Sequence, residues 1–414
     1  MNNTKNSIIN LSSFIVSGLI GLYIYFYLTK YGGVDLLGKF NIHYVALLLL
    51  SQLGTLGLHY SILRLSSEKQ NNNLDFANLY SGLTLIFVSS FVIFSIIEFI
   101  QINLLINLSV SITDIKYASI LFALNRGIYW YLNGKEEYIK MAIVSPSRMT
   151  LYFISINNLK NSNLLEQNLS SVFLMTEIVI LVLQVFMSFL VIKKTTQTFR
   201  QSNIFRKHLT FSKQAFVTSF LTDISLKVDL IVISFLLGNN FVGLYTFTSA
   251  LGEGFLGILN VTRTISTPKF LDLVNDKTRF KDHKKNIFKI CFIISGLAST
   301  SIIAISYFFG ERLSFLQGIK SEAFSSLLIV IIGFSLMSYF FSFEHILLQL
   351  NYPFDHTKSL VSLFVINLGL NILLINLYDL NGAAAATVLS YLTYFFVLNY
   401  YLDKRTGEQF IRFK

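Results

Sequence analysis

A small set of ionisable side chains interrupts the long apolar stretches of this 414-residue chain. If those stretches cross a membrane, each such side chain costs at least about 2.5 kcal/mol on insertion scales. Ionisable residues in that setting usually face a cavity, contact a ligand or pair with an opposite charge. The candidates are Arg126, Arg148, Asp223, Lys227, Asp229 and Glu253.

Two of these candidates are arginines in the first half of the chain. A guanidinium presents a planar fork of N–H donors that matches phosphate and carboxylate groups. Arg148 follows Pro146, which frees a backbone carbonyl, as transporter helices allow beside water-filled cavities. Two interpretations stay open for Arg126 and Arg148: contact with an anionic cargo such as a diphosphate or an acidic sugar, or a structural ion pair with a neighbouring carboxylate.

The other four candidates lie in the second half. Asp223 and Lys227 are four residues apart, so on one helix they share a face and can pair. Asp229 points about 200° away from Lys227 and needs its own partner. Glu253 is flanked by glycines that permit close helix approach, so it can meet Lys227. These residues predict either mutual neutralisation or a proton or cation site coupled to transport.

Weaker candidates surround these residues. Glu177 is a further carboxylate in an apolar stretch, and His59 can respond to protons near neutral pH. A single histidine in a helix is more often a hydrogen-bonded structural residue. Tyr129, beside Arg126, offers a ring on which a sugar could stack, although most of the 40 Phe and 21 Tyr are expected to contact lipid.

The elements that position these residues are predicted membrane-spanning helices. Hydrophobic residues make up 53% of the chain and charged residues 13%, against about 25% charged in soluble domains. Strand-type alternation is absent, so the sequence predicts an all-α membrane protein of about twelve helices of about 20 residues each. The predicted spans are 8–29, 42–63, 79–100, 115–132, 138–156, 172–192, 215–237, 242–265, 287–309, 324–348, 360–377 and 383–402.

The distribution of Lys and Arg predicts the topology. In the connections and at the span ends, Lys and Arg residues are roughly four times as numerous on one predicted side of the membrane as on the other. Because basic residues accumulate on the cytoplasmic side, both termini are placed in the cytoplasm. The basic residues behind the net charge of +11 then lie beside the anionic cytoplasmic leaflet, so no nucleic-acid partner is expected. We predict an N-terminal six-helix lobe (1–195), a basic cytoplasmic linker (196–214), a C-terminal six-helix lobe (215–402) and a cytoplasmic tail (403–414).

Signatures of enzymes and cofactors are missing from the sequence. The single Cys291 excludes an intramolecular disulfide and a multi-cysteine metal site. The chain has no Gly-x-x-x-x-Gly-Lys-Ser/Thr loop, no His-Glu-x-x-His and no Gly-x-Ser-x-Gly. We therefore expect a protein that is not an enzyme and that carries no cofactor and no metal.

Three stretches carry a family resemblance. The first runs from Tyr31-Gly32-Gly33 through Gly38-Lys39-Phe40 and Leu56-Gly57-Leu58 to Arg64; the second from Lys227-Val228-Asp229 through Leu236-Leu237-Gly238 and Val242-Gly243-Leu244-Tyr245 to Ala250-Leu251-Gly252-Glu253; the third from Asn367-Leu368-Gly369-Leu370-Asn371 to Asn381-Gly382-Ala383 and Thr387. In these the chain resembles the Wzx-type polysaccharide flippases of the multidrug/oligosaccharidyl-lipid/polysaccharide (MOP) exporter superfamily. A usual proline is replaced by Leu377-Tyr378-Asp379-Leu380.

The resemblance implies two lobes around a central cavity that opens alternately to either side. It implies movement of an undecaprenyl-diphosphate-linked oligosaccharide from the inner to the outer leaflet of the bacterial inner (plasma) membrane, for O-antigen or capsule synthesis. The implied partners are this lipid-linked oligosaccharide, membrane lipids, and the polymerase and chain-length regulator of the same pathway. Arg126, Arg148 and Lys227 would then contact substrate, and Asp223, Asp229 and Glu253 would serve coupling or line the cavity.

Two alternatives stay open. A membrane polysaccharide polymerase or ligase has similar length and helix number, but such families typically carry a large outer loop with arginines. Here the predicted outer segments are short, with the basic residues Lys30, Lys39, Lys116, Lys160, Arg312 and Lys320. A drug exporter of the same superfamily is the second alternative; the arginines of the fourth and fifth spans argue softly against a cationic cargo.

Overall fold

The computed structural model describes residues 2–67, 75–103, 112–159, 168–192, 202–273, 277–312, 322–344, 346–350 and 352–406. Every regular element in these ranges is an α-helix. The helices are α1 (Asn2–Thr55), α2 (Leu58–Ser67), α3 (Asp75–Asn103), α4 (Ile112–Gly134), α5 (Tyr138–Leu159), α6 (Leu169–Phe189), α7 (Ser202–Ser225), α8 (Val228–Leu236), α9 (Asn239–Leu273), α10 (Lys277–Arg312), α11 (Glu322–Phe341), α12 (Ile346–Gln349) and α13 (Pro353–Thr406).

The outer surface of several helices is apolar, as lipid contact requires. Phe99 of α3, Phe292 of α10 and Leu336 of α11 are 67%, 69% and 78% exposed. Within the described ranges, seven helices are long and apolar enough to cross a membrane by length and composition. The predicted class, an all-α membrane protein, is confirmed, while the count of twelve spans and their arrangement around a cavity stay predictions.

Two long helices each join two predicted spans. α1 includes the first span and the second as far as Thr55, where a turn leads into α2, and α13 includes the last two spans; each helix has a single non-helical residue, Gly33 (φ 76°) and Asp379 (φ 50°). Glycine adopts positive φ without steric cost, and Asp tolerates this region better than most residues. Both bends lie inside the predicted connections, 30–41 and 378–382, but each connection is shorter than predicted because the chain turns at one residue. At the second bend, a Cβ on Gly382 would clash with the Leu374 carbonyl oxygen, so only glycine fits there.

The seventh predicted span, 215–237, is not one continuous helix. α7 ends at Ser225 and α8 begins at Val228, and between them the Lys227 N–H donates to the Ile224 carbonyl in a turn (3.0 Å). The break separates Asp223 from Lys227, and this changes what both residues can contact.

The chain forms two compact units, Met1–Asp223 and Ile224–Lys414. The division lies inside α7, beyond the end of the predicted linker 196–214. Residues 196–201 of that linker and 407–414 of the predicted tail lie outside the described residues. The rest of the linker is helical and packs within the first unit.

Contacts of α7 explain this division. Gly57 (φ +76°), at the corner between α1 and α2, lies so close to α7 that a Cβ would meet Phe216 N at 2.8 Å and Ser212 O at 2.9 Å. His208 is buried, with Nδ1 2.7 Å from Ser61 Oγ and Nε2 3.1 Å from the Asn78 carbonyl. This burial lowers the pKa of His208 to about 4. The described part of the predicted linker, 202–214, is thus a helical and packed part of the first unit.

Candidate functional site

Arg126 of α4 pairs with Asp223 of α7. Its Nη2 lies 2.6 Å from Asp223 Oδ2, and the two side chains keep 18% and 32% of their surface exposed. Both residues belong to the first unit. The structural interpretation of Arg126 requires a carboxylate partner, and Asp223 provides it. The sequence spacing predicts Lys227 as the partner of Asp223.

Arg148 of α5 pairs with Glu177 of α6. Arg148 Nε lies 2.9 Å from Oε1 of the fully buried Glu177, and Nη2 donates to Oε2 (3.3 Å). The same carboxylate accepts hydrogen bonds from Asn125 Nδ2 (2.8 Å) and the Tyr152 hydroxyl (2.8 Å). The guanidinium also lies over the Phe122 ring. Three side-chain hydrogen bonds thus reach the buried carboxylate, while Arg148 Nε contributes an ion-pair contact without a hydrogen bond among the described residues.

Lys227 pairs with Glu253 in the second unit. Lys227 Nζ lies 2.5 Å from Glu253 Oε1, which also accepts a hydrogen bond from the Ser249 hydroxyl (3.0 Å). The approach of Glu253 to Lys227 is confirmed. The predicted pairing of Asp223 with Lys227 is wrong, because the turn at Leu226 and Lys227 breaks the helix that would have placed the two side chains on one face.

Asp229 of α8 has a neutral hydrogen-bond partner. The Leu230 N–H donates to Oδ1 (2.9 Å), and Tyr245 and Thr387 line the same pocket as the carboxylate. Among the residues that the structure describes, no ion pair involves Asp229. Asp229 is only 6% exposed. It therefore differs from Arg126, Arg148 and Lys227, each of which has an opposite charge in contact.

A small cavity adjoins Asp229 inside the second unit. Its volume is about 30 Å³, and its polar lining includes Asp229, Tyr245, Thr248, Glu253 and Thr387. A space of this size holds about one water molecule. It is large enough for a proton carrier or a single small cation.

An aromatic cluster adjoins the Arg126–Asp223 pair. The ring of Trp130, the single tryptophan of the chain, lies 4.9 Å from Tyr60, 5.9 Å from His59 and 6.4 Å from Tyr129, centroid to centroid. The Tyr60 hydroxyl interacts electrostatically with both Asp223 and Arg126. From the sequence we had singled out only Tyr129 near Arg126. The spacing of four between Arg126 and Trp130 was the available signal, since it places both on one helical face.

No group of three or more His, Cys, Asp or Glu side chains that could hold a metal ion occurs in the described ranges.

On the sequence alone, Glu177 ranks only among the weaker candidates. Nothing in the local spacing connects Glu177 to Asn125, Arg148 and Tyr152, which lie on two other helices, α4 and α5.

No protein-family model and no curated protein sequence matches this chain. Solved structures match nearly all of it. The lipid II flippase MurJ in an inward closed conformation has a TM-score of 0.74 at 16% identity, covering 96% of this chain and 87% of that one. An inward-facing multidrug resistance MATE-family transporter of the MOP superfamily has a TM-score of 0.70 at 13% identity, covering 97% and 98%.

A third match is a MOP-superfamily transporter from Pyrococcus furiosus, described as having a binding pocket of reverse polarity that suggests a different function. Its TM-score is 0.63 at 14% identity, and the match covers 98% of this chain and 95% of that one. Together these matches give the class: the chain has the fold of the MOP-superfamily transporters. Identities of this size show the fold alone, and the cargo has to be argued from this chain's own residues.

Proposed function

We propose that this protein is a flippase that moves an undecaprenyl-diphosphate-linked oligosaccharide from the inner to the outer leaflet of the bacterial inner membrane, for synthesis of a surface polysaccharide. The observation that carries the proposal is the fold that the chain shares with a lipid II flippase over 96% of its length. The three sequence stretches that resemble polysaccharide flippases support the same cargo class. A membrane polymerase or ligase is disfavoured, since the matched structures are transporters.

Arg126, Arg148 and Lys227 are the proposed residues of the substrate pathway, and their pairing limits what each can do. Arg148 is committed to the buried Glu177, so we assign it the role of holding α5 against α6 along that pathway. Lys227 holds the turn before α8 to Glu253 of α9. The Arg126–Asp223 pair is more accessible than the Arg148–Glu177 pair, because Asp223 is 32% exposed and Glu177 is fully buried.

Coupling to an ion gradient is the proposed role of Asp229. A buried carboxylate that accepts a backbone hydrogen bond and forms no ion pair among the described residues is suited to bind a proton or a small cation; Lys227, which acts on it electrostatically, is paired with Glu253. The cavity beside it has room for one such ion. Glu253 lines the same cavity but is engaged by Lys227, and Asp223 is engaged by Arg126. We therefore place the coupling role on Asp229 first.

Export of a drug is the second candidate function. Its support is the match to a MATE-family multidrug transporter that covers 98% of that structure. In the sequence, the arginines of the fourth and fifth spans argue against a cationic drug as cargo. That objection is weaker in the structure, because Arg126 and Arg148 are each paired with a carboxylate and leave no unbalanced positive charge.

Deletion of the gene in its bacterium tests the proposal. We expect loss of the surface polysaccharide, measured with a specific antiserum or lectin, and accumulation of single lipid-linked repeat units in membrane extracts. Complementation with the wild-type chain should restore both. Surface chains one repeat long would indicate a polymerase. Intact polysaccharide with drug hypersensitivity would contradict the flippase proposal in favour of a drug exporter.

A further inference from the structure

The two arginine pairs of the first unit differ in how many of their polar atoms are engaged. Around Arg148 and Glu177, side chains donate three hydrogen bonds to the two carboxylate oxygens, and Arg148 Nε adds an ion-pair contact without a hydrogen bond in the ranges that the structure describes. Around Arg126 and Asp223, a single hydrogen bond, from Nη2 to Oδ2, is formed within the described part of the chain. The remaining N–H donors of Arg126 and Asp223 Oδ1 are available to a ligand.

An aromatic surface lies next to these open donors and acceptors. Trp130 follows Arg126 by one helical turn on α4, and Tyr60 packs beside it at 4.9 Å between ring centroids. Both rings are partly exposed. Behind them His59 is fully buried and its Nδ1 lies 3.1 Å from Thr55 Oγ1, so the back of the surface is fixed.

The charge of this arrangement favours an uncharged ligand. Asp223 neutralises Arg126, so the pair offers no net positive charge to a diphosphate, which needs unbalanced cations. A sugar ring instead presents vicinal hydroxyls that both donate and accept hydrogen bonds, and an apolar C–H face that packs on aromatic rings. A guanidinium and a carboxylate side by side, with a tryptophan and a tyrosine next to them, match those two features together.

We propose that Arg126, Asp223, Tyr60 and Trp130 form a subsite for an uncharged sugar ring. Arg126 and Asp223 bind its hydroxyls, and Trp130 and Tyr60 pack against its C–H face. This inference rests on the proposed function, because the ring is a unit of the oligosaccharide cargo. It deepens that function by assigning the subsite to the saccharide and not to the diphosphate.

The single tryptophan makes the subsite directly observable. Intrinsic tryptophan fluorescence of the purified full-length chain in detergent comes from Trp130 alone. The probes are methyl glucoside, methyl N-acetylglucosaminide and inorganic pyrophosphate. We expect a saturable change in emission, and protection of Trp130 from iodide quenching, with the uncharged glycosides. Pyrophosphate should produce neither effect.

Variants assign the change to named residues. Tyr60→Leu should weaken glycoside binding about threefold to tenfold, since one packing ring is lost. Arg126→Lys keeps the charge but loses the planar fork, and should weaken it at least as much. Tyr117→Ala, which removes a 60% exposed ring of the same helix α4, is the matched control and should bind as the wild type does. Quenching protection in the wild type needs no variant and covers the case in which a variant fails to fold.

Two results would overturn the subsite: no saturable change with either uncharged glycoside, or a change with pyrophosphate that glycosides do not compete away. These results are distinguishable from failure of the proposed function. A deletion strain that loses its surface polysaccharide while Trp130 shows no glycoside response contradicts the subsite and leaves the flippase proposal standing. Intact polysaccharide in that strain contradicts the flippase itself.

Discussion

The guanidinium of Arg126 lies 2.6 Å from the carboxylate of Asp223, a residue 97 positions further along the chain. Asp223 is the last residue of the first unit, and Lys227, after the break in the helix, belongs to the second. The carboxylate of Asp223, which local spacing predicts to pair with Lys227, is therefore paired with Arg126 inside the first unit. This pair connects the fourth predicted span to the end of α7 and defines the part of the protein that we assign to the cargo.

Reversing this pair tests its contribution to stability. Arg126→Asp or Asp223→Arg alone places like charges in contact and should cost about 2 kcal/mol or more, while the double reversal should recover most of that loss. Thermal unfolding of the purified variants measures this. Reversal of the more exposed Lys140–Glu137 pair is the control and should cost less than about 1 kcal/mol. Additive effects of the two single reversals would mean that the contact is not formed.

Removal of Glu177 should be more damaging than any change at Asp223. Glu177→Ala leaves Arg148 buried without its counter-charge and removes the acceptor of Asn125 and Tyr152, for an expected loss of about 3–5 kcal/mol. The double variant Arg148→Met/Glu177→Met should recover part of that loss. The yield of monodisperse protein and its unfolding temperature are the readouts. Wild-type stability of Glu177→Ala would contradict the buried network.

Substitution of Asp229 should uncouple transport without unfolding the protein. Asp229→Asn keeps the shape of the side chain and removes its charge, so we expect transport driven by an imposed sodium or proton gradient to fall about tenfold. Tyr245→Phe, which removes only a hydroxyl from the pocket that Asp229 lines, should have a smaller effect. Initial rates in vesicles with and without the gradient measure this. A gradient response in Asp229→Asn equal to the wild type would exclude Asp229 from coupling.

His208 should make the stability of the first unit depend on pH. Its pKa is lowered by burial from 6.5 to about 4. Between these values the unfolded chain binds a proton that the folded chain does not, so this contribution to stability is complete above pH 6.5 and is lost as the pH falls toward 4. His208→Gln should flatten the dependence of the unfolding temperature between pH 7.5 and pH 5. The same slope in the variant and the wild type would show that His208 is solvated when the protein is folded.

Composition and periodicity were sufficient for the fold class and for the placement of most helices. The positions of both bends were predicted, at 30–41 and 378–382, but their shortness was not, because each bend depends on the backbone conformation of one residue, Gly33 or Asp379. Local spacing also suggested the wrong partner for Asp223, since the rule for residues four apart holds only where the helix is unbroken.

Contacts between distant helices explain what the sequence could not predict at the site. The partners of Arg126 and Arg148 come from α7 and α6, and no local pattern names them. His208 lies in a basic segment that reads as a solvated linker, yet Gly57 on the corner of α1 and α2 lets α7 pack closely enough to bury it. Glu253 was placed correctly beside Lys227, although Gly252 next to it packs against Val330 of α11 and not against α8.

Reconstitution tests the central claim most directly. The purified chain is inserted into vesicles that carry a lectin-detectable, undecaprenyl-diphosphate-linked oligosaccharide in one leaflet. We predict that the oligosaccharide becomes accessible to the lectin on the opposite side over time, and that protein-free vesicles show no such change. An unchanged distribution in vesicles whose protein does transport a cationic dye would contradict the flippase assignment and identify a drug exporter.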